Sequence, residues 1–260
     1  GVPDDTCEYC RTGRYNICPG VDFMATQPNY KGALTQYMTH PEEWTYHIPE
    51  GMTTMEGALV EPAAVGMHAA VLGGAQPGKS IVILGGGTIG LMVLQACISL
   101  GATDITVVDV IEKRLELAKK LGAARVINGK EEDTVAVLRS EEMYGDHGVD
   151  LVFEAAGAVF TAQQAVQIVS RGGKIMMVGT QSKPVPIDFL KINREVTIQT
   201  SFRYCNNFPQ TIEAISSGRF NVKDMVTNIY DYEDVQKAFE EAIDPVKKTE
   251  MVKGVIKVAE

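Results

Sequence analysis

The chain is 260 residues long, 45% hydrophobic and 22% charged, with a formal net charge of -9. That length holds one or two domains with a core that needs no staples, and the composition excludes a disordered chain, a collagen and a coiled coil. The acidic balance argues against nucleic-acid binding, because phosphates would be repelled, and no apolar run reaches the ~18 residues of a membrane span.

Residues 1 to 50 differ from the rest. The chain opens Gly1-Val2-Pro3 without an initiator methionine, which fits either a processed terminus or a piece of something longer. No signal-like segment follows, and five cysteines (7, 10, 18, 97 and 205), with three crowded at one end, suit reduced thiols or a metal site better than disulfides. A cytoplasmic setting is therefore expected. Cys7-Glu8-Tyr9-Cys10 puts two sulfurs on one tight turn, close enough to share a tetrahedral zinc at ~2.3 Å each, and Cys18 adds a third. Asp4 stands before Cys7 with the same two-residue gap and is the candidate fourth ligand. Four protein ligands would make a closed, structural zinc site. Free thiols in a reduced lobe are the other reading. Prolines 3, 19, 28, 41 and 49 and the turn signals Cys18-Pro19-Gly20 and Gln27-Pro28-Asn29 punctuate this region, and apolar and polar residues alternate over Ala33–Met38. Irregular, strand-rich structure is expected here. From Met52 to about Leu72 the pattern is helical, with an interruption at Glu61-Pro62.

A different rhythm runs from 80 to 200. Strands are expected at Ser80–Leu84, Asp104–Asp109, Ala124–Ile127, Val149–Glu154, Lys174–Val178 and Val196–Thr200. Helices are expected between them at Thr88–Leu100, Glu112–Leu121, near Glu132–Arg139 and at Ala158–Ser170. Continuous β-branched runs such as Ser80-Ile81-Val82-Ile83-Leu84 belong to strands buried on both faces. The fold class is α/β, a doubly wound parallel sheet of six strands. Beyond Ser201 come amphipathic stretches at Pro209–Ile215 and Tyr232–Ala242, and strand candidates at Val226–Tyr230 and Met251–Val258.

Gly85-Gly86-Gly87-Thr88-Ile89-Gly90 follows the first strand and opens its helix. Gly85 permits the tight turn, Gly87 lets backbone approach a pyrophosphate, and Gly90 allows close helix–strand contact. The helix N-terminus turns free N–H groups and positive dipole toward the phosphates. Asp109 ends the next strand nineteen residues beyond Gly90, where an acid grips the adenosine ribose hydroxyls. A carboxylate there repels a 2′-phosphate and favours NAD over NADP. Arg114, five residues on, could welcome that phosphate or be a solvated helix charge.

These motifs together resemble a known family. Cys7-x2-Cys10-x7-Cys18, enclosing Gly13-Arg14-Tyr15-Asn16, is similar to the zinc lobe of zinc-dependent medium-chain dehydrogenases. Val60-Glu61-Pro62-Ala63-Ala64-Val65-Gly66-Met67-His68-Ala69 resembles the segment before that family's coenzyme domain. Ser201-Phe202-Arg203-Tyr204-Cys205-Asn206 narrows the resemblance to sorbitol (polyol) dehydrogenases, or ketose reductases. It covers essentially the whole chain. Asp4 departs from the usual four cysteines of the lobe.

The resemblance implies a Rossmann domain over 63–204, with 1–62 and 205–260 forming the remnant of a β-rich GroES-like catalytic domain. It implies that the chain is about the C-terminal three quarters of a longer enzyme, because the family's catalytic-zinc cysteine and His-Glu pair have no counterpart here. Carried over by matching position, Glu61 is the acid beside the catalytic zinc, and Arg203 and Tyr204 reach the substrate. Gly85, Gly87, Thr88, Ile89, Gly90, Asp109, Arg114, Val178, Gly179, Thr180, Ser201, Phe202 and Arg203 form the NAD site. Glu61 could instead cap a helix continuing from Pro62, and Tyr204 could be core packing. The implied function is NAD-dependent oxidation of a small-molecule polyol to a ketose, with zinc as Lewis acid, in a homo-oligomer (a tetramer in the intact enzyme) that binds neither nucleic acid nor membrane. The chain by itself is expected to bind NAD and turn nothing over. A dehydrogenase for butanediol or L-threonine, or a nucleotide-binding module without catalysis, are the other readings. His68 and Glu61 on one helix would stand ~10 Å apart, too far to share an ion, so His68 is expected to be structural.

Overall fold

A computed structural model describes residues 1–26 and 32–258; the turn expected at Gln27-Pro28-Asn29 lies outside them. A four-residue helix α1 (Glu8–Arg11) and the long α2 (Thr54–Gly73) come first. Then β1 (Ser80–Leu84), α3 (Thr88–Ser99), β2 (Asp104–Asp109), α4 (Glu112–Lys120), β3 (Arg125–Asn128) and α5 (Thr134–Leu138) alternate. They are followed by β4 (Val149–Glu154), α6 (Val159–Ile168), β5 (Val169–Met177) and β6 (Thr197–Thr200). All six strands pair in parallel in the order β3-β2-β1-β4-β5-β6.

The apolar strand runs follow from helices on both faces. Alternate residues Ile81, Ile83, Ile105, Val107, Leu151 and Phe153 join one core with α2 and α3. Their neighbours Val82, Leu84, Val108, Ile127 and Val152 join a second core with α5 and α6. With neither face in water, nothing selects for polar alternation. The expected helix to Ser170 stops at Ile168, because Val169 already pairs with Val149 and a register shift follows before Leu151 meets Lys174.

Two expectations for the chain before β1 are corrected. Glu61-Pro62 does not interrupt the helix: α2 runs through both from a capping box at Thr53 and Glu56. Proline removes one hydrogen bond to the carbonyl a turn earlier, while burial of Leu59, Val60, Ala63, Ala64 and Met67 around it holds the helix together. Gly66 sits where α2 crosses α3, and a Cβ there would lie 2.5 Å from the Met92 carbonyl carbon. Nor is the opening region strand-rich. Among the described residues before α2 the only β pairing is an antiparallel bridge between Val2 and Asp22. Ala33–Met38 alternates as a strand would, yet Tyr37 is 89% exposed; alternation makes a strand only where a ladder partner and a face to bury exist.

After the sheet, α7 (Phe208–Ser216), β7 (Val226–Asp231), α8 (Val235–Ile243), α9 (Lys247–Glu250) and β8 (Lys253–Lys257) follow, with β7 and β8 paired in parallel. Among the described residues, the expected β-rich remnant amounts to this two-stranded ladder and the single bridge.

Candidate coenzyme crevice and cysteine lobe

The strand order reverses between β1 and β4, and in open α/β sheets ligands bind outside the carboxyl ends of strands at such a switch point. The loops after β1, β4, β5 and β6 all open there. Gly85 has φ +109°, donates its N–H to Val108 at 2.8 Å, and leaves no room for a side chain: a Cβ would lie 2.8 Å from the Ala156 nitrogen. A Cβ on Gly90 would meet the Gly85 carbonyl oxygen at 1.8 Å. Gly87 is the opposite case, with its nearest prospective neighbour, Arg114 Nη1, 3.9 Å away. As N-cap of α3 it offers no side-chain cap, so the first-turn amides of Thr88, Ile89 and Gly90 face an open cradle with nothing capping them. The Thr88 hydroxyl donates to the Val252 carbonyl, which pins the C-terminal segment beside this loop.

Asp109 is buried and faces the glycine turn. Its Oδ2 accepts from Gly86 N at 2.6 Å, and its Oδ1 from Val110 N at 2.8 Å and Ile111 N at 2.9 Å. Arg114 Nη1 stands 3.7 Å from Oδ2, Nη2 reaches the Lys248 carbonyl at 3.4 Å, and Nε is buried with no partner among the described residues.

Sequence reasoning missed Glu154, which ends β4 with no exposure at all. Its Oε1 accepts from Ala156 N, Gly157 N and the Thr161 hydroxyl at 3.0, 2.9 and 2.7 Å, and its Oε2 from Gln181 Nε2 at 2.7 Å. One carboxylate thus joins the loops after β4 and β5, which interlock so tightly that a Cβ on Gly179 would lie 2.3 Å from Gly157 N. The available signal was an acid closing the otherwise apolar strand Leu151-Val152-Phe153-Glu154. Beside these loops, Val178 and Gly179 donate to the Glu154 carbonyl at 2.8 Å each, and Ser201 N donates to Met177 at 2.9 Å. The Ser201 hydroxyl and the Gln181 side-chain carbonyl are buried without partners among the described residues. Orphaned donors and acceptors rimming a cradle that a Cβ would fill are what a polar, phosphate-bearing cofactor requires.

The Ser201–Asn206 segment is gripped by the turn inside the cysteine lobe. Asn16 Nδ2 donates to the Phe202 carbonyl at 2.8 Å, Asn206 N donates to the Tyr15 hydroxyl at 2.7 Å, and Asn206 Nδ2 donates to the Gly13 carbonyl at 3.0 Å. Arg203 and Asn206 hold positive φ of 53° and 57°. The Arg203 guanidinium carbon stacks 3.4 Å from the Phe23 ring centroid. Burial, with the neighbouring Glu61 carboxylate, pushes the Tyr204 phenol up. Since α2 begins at Thr54, Glu61 lies in mid-helix and the N-cap reading of it falls. His68 is hydrogen-bonded as a structural residue, with Nδ1 3.0 Å from Asn207 Oδ1, and burial holds its pKa down.

In the lobe, one ligand atom each from Asp4, Cys7, Cys10 and Cys18 lie within 4.8 Å of one another. Tetrahedral ligands at ~2.3 Å from zinc stand roughly 3.8 Å apart, so the set fits that ion. Backbone N–H groups of Thr6 and Cys7, at 2.9 and 3.1 Å, lower the Asp4 carboxyl to about 2 and keep it ionised. Among the described residues this is the one such cluster; Glu61 belongs to none.

The sequence profile of the zinc-binding dehydrogenases matches residues 88–217. The chain is 64% identical, over its full length and 74% of the relative's, to an uncharacterized zinc-type alcohol dehydrogenase-like protein of Escherichia coli K12. It is 41% identical to a sorbitol dehydrogenase of Bacillus subtilis, covering 94% of this chain and 69% of that one. A crystal structure of an Escherichia coli oxidoreductase/dehydrogenase of unknown specificity superposes with a TM-score of 0.97 at 63% identity, over 100% of this chain and 74% of the other. No helix among the described residues is long and apolar enough to cross a membrane. With its six-stranded Rossmann sheet and glycine turn, the chain belongs to the zinc-binding dehydrogenases, a family of oxidoreductases.

Proposed function

We propose that the chain binds NAD across the β1/β4 switch point and serves, within the intact dehydrogenase, the oxidation of a polyol to a ketose. One observation carries the coenzyme reading: the uncapped N-terminus of α3, the open cradle at Gly87 and the buried Asp109 converge on one crevice. The amides of Thr88, Ile89 and Gly90 donate to the pyrophosphate. A carboxylate offers about four acceptor sites; three of Asp109's are taken by backbone N–H groups, which leaves its outer edge for a ribose hydroxyl and its charge to repel a 2′-phosphate. Bound NAD supplies the hydride acceptor. Val178, Gly179, Thr180, Ser201 and Phe202 line the far end of the crevice, where the orphaned Ser201 hydroxyl is positioned for the nicotinamide end. Arg203, braced on Phe23, offers fixed donors to substrate hydroxyls, and Tyr204, kept protonated by burial and Glu61, is a further donor. The polyol class rests on the Ser201–Asn206 segment and on the 41% identity to the Bacillus sorbitol dehydrogenase.

The 260-residue chain is expected to quench on NADH titration and to oxidise no polyol, since the lobe is the one clustered ligand set among the described residues and its four protein ligands leave no open position. Asp109→Ala should narrow NAD-over-NADP discrimination by roughly tenfold or more, the loss of about 1.4 kcal/mol of charge repulsion and hydrogen bonding. Unchanged discrimination would remove Asp109 from the site, and turnover by the isolated chain would refute the missing-ligand argument.

The lobe, we further propose, holds one structural zinc on Asp4, Cys7, Cys10 and Cys18. Metal analysis should find about one zinc per chain, lost in Cys10→Ser. A folded, zinc-free wild-type sample would end that assignment.

A further inference from the structure

At the opposite edge of the sheet, by the amino ends of β4, β5 and β6, lies a second concavity of about 260 Å³, lined by Arg139, His147, Ser170, Arg171, Lys191 and Arg194 among others. Strands of this length put roughly 20 Å between it and the coenzyme crevice. The chain carries 33 acids against 24 bases, yet Arg171, Lys191 and Arg194 make no ion pair and no side-chain hydrogen bond among the described residues. Arg139 forms a rigid wall. Its Nε, Nη1 and Nη2 donate to the carbonyls of Gln167 at 3.0 Å, of Gly145 and Asp146 at 3.3 Å, and of Val169 at 3.0 Å. Those acceptors are neutral, and the carboxylate of Asp146 in the same lining acts on the guanidinium charge. His147 is already beside Asp150, 3.7 Å away. Asp146 is the single carboxylate among the lining residues. Ser170, 3% exposed, has a hydroxyl with no hydrogen bond among the described residues.

We propose that this cleft is a binding site for a compact phosphorylated metabolite. A concave surface focuses the field of its charges, and guanidinium groups match phosphate oxygens in pairs. Three cations without a counter-charge, Arg171, Lys191 and Arg194, repel one another around one hollow until a multiply charged anion is shared between them. The volume suits a phosphate carrying a few further atoms and is too small for a dinucleotide. The site is independent of the coenzyme reading, because ligands of a doubly wound sheet sit at the carboxyl ends of its strands and this cleft is at the amino ends.

The test is an amide-resolved NMR titration of the chain with inorganic phosphate and, separately, inorganic pyrophosphate. Pyrophosphate should bind more tightly than phosphate, weaken with added salt, and shift the amides of Ser170, Arg171, Lys191 and Arg194. Arg171→Glu combined with Arg194→Glu should weaken it at least about tenfold, and the neutral Arg171→Gln/Arg194→Gln pair by less, both with NADH binding unchanged. Both residues are exposed, so the variants keep the fold. Shifts confined to Gly86–Thr88, no shift in the cleft at millimolar pyrophosphate, or cleft shifts unchanged in the double variants would overturn the proposal.

Discussion

Glu154→Leu should destabilise the chain by about 3–5 kcal/mol and abolish NADH binding. Replacing a buried charge with an apolar group is often harmless when its partners are replaced as well. Here the partners stay. Ala156 N, Gly157 N and Gln181 Nε2 would each be left as a donor facing an apolar side chain, and Thr161 would keep only its contact with the Ala158 carbonyl at 2.9 Å. Each stranded donor costs about 1–3 kcal/mol, which outweighs the relief of not burying the carboxylate. The two loops it joins rim the crevice, so their release costs affinity together with stability. Glu154→Gln separates these effects: its carbonyl still serves Ala156 and Gly157, and the Gln181 amide can reverse to present its oxygen. That variant should lose only about 1–2 kcal/mol and keep measurable NADH binding. Denaturant unfolding and NADH fluorescence titration check both; a Glu154→Leu chain with wild-type stability would show that the loops hold without it.

The glycine turn predicts a contrast between two of its members. Gly90→Val should cost about 3 kcal/mol of stability, because its Cβ would fall 1.8 Å from a backbone oxygen of the preceding loop, an atom that cannot swing aside. Displacing α3 from β1 then carries the amides of the phosphate cradle with it, and NADH affinity falls as a consequence. Gly87→Ala should leave stability nearly unchanged. Gly87 has φ -72° and ψ -174°, an ordinary extended conformation, and a Cβ there has 3.9 Å of clearance. Its methyl would nevertheless occupy the space through which a pyrophosphate approaches the backbone, so NADH binding should weaken at least about tenfold. Wild-type affinity in Gly87→Ala would show that the cradle holds no phosphate, whatever Gly90→Val does.

The legible parts of this protein were those written in local pattern. Strands such as Asp104–Asp109 and Val149–Glu154 lie where apolar, β-branched stretches put them, because a strand covered on both faces carries a central apolar run on both sides of the sheet. The glycine spacing before α3 and the Cys7/Cys10/Cys18 grouping with Asp4 were readable for the same reason: their chemistry lies within a few residues of chain. Where packing outweighed local preference the pattern misled. Pro62 signalled a break that burial along α2 overrides, and Ala33–Met38 alternates with nothing to pair against among the described residues.

The amino-acid order by itself determined the parallel α/β architecture, the glycine turn before α3 and the grouping of Asp4, Cys7, Cys10 and Cys18, since each is encoded by residues near one another. Only the tertiary structure decided that Glu154 ties two crevice loops together, that Gly13, Tyr15 and Asn16 grip a segment nearly two hundred residues away, and that cations from three separate segments face one hollow. Those are contacts between distant stretches, and no local periodicity records which side chains a sheet's topology brings together.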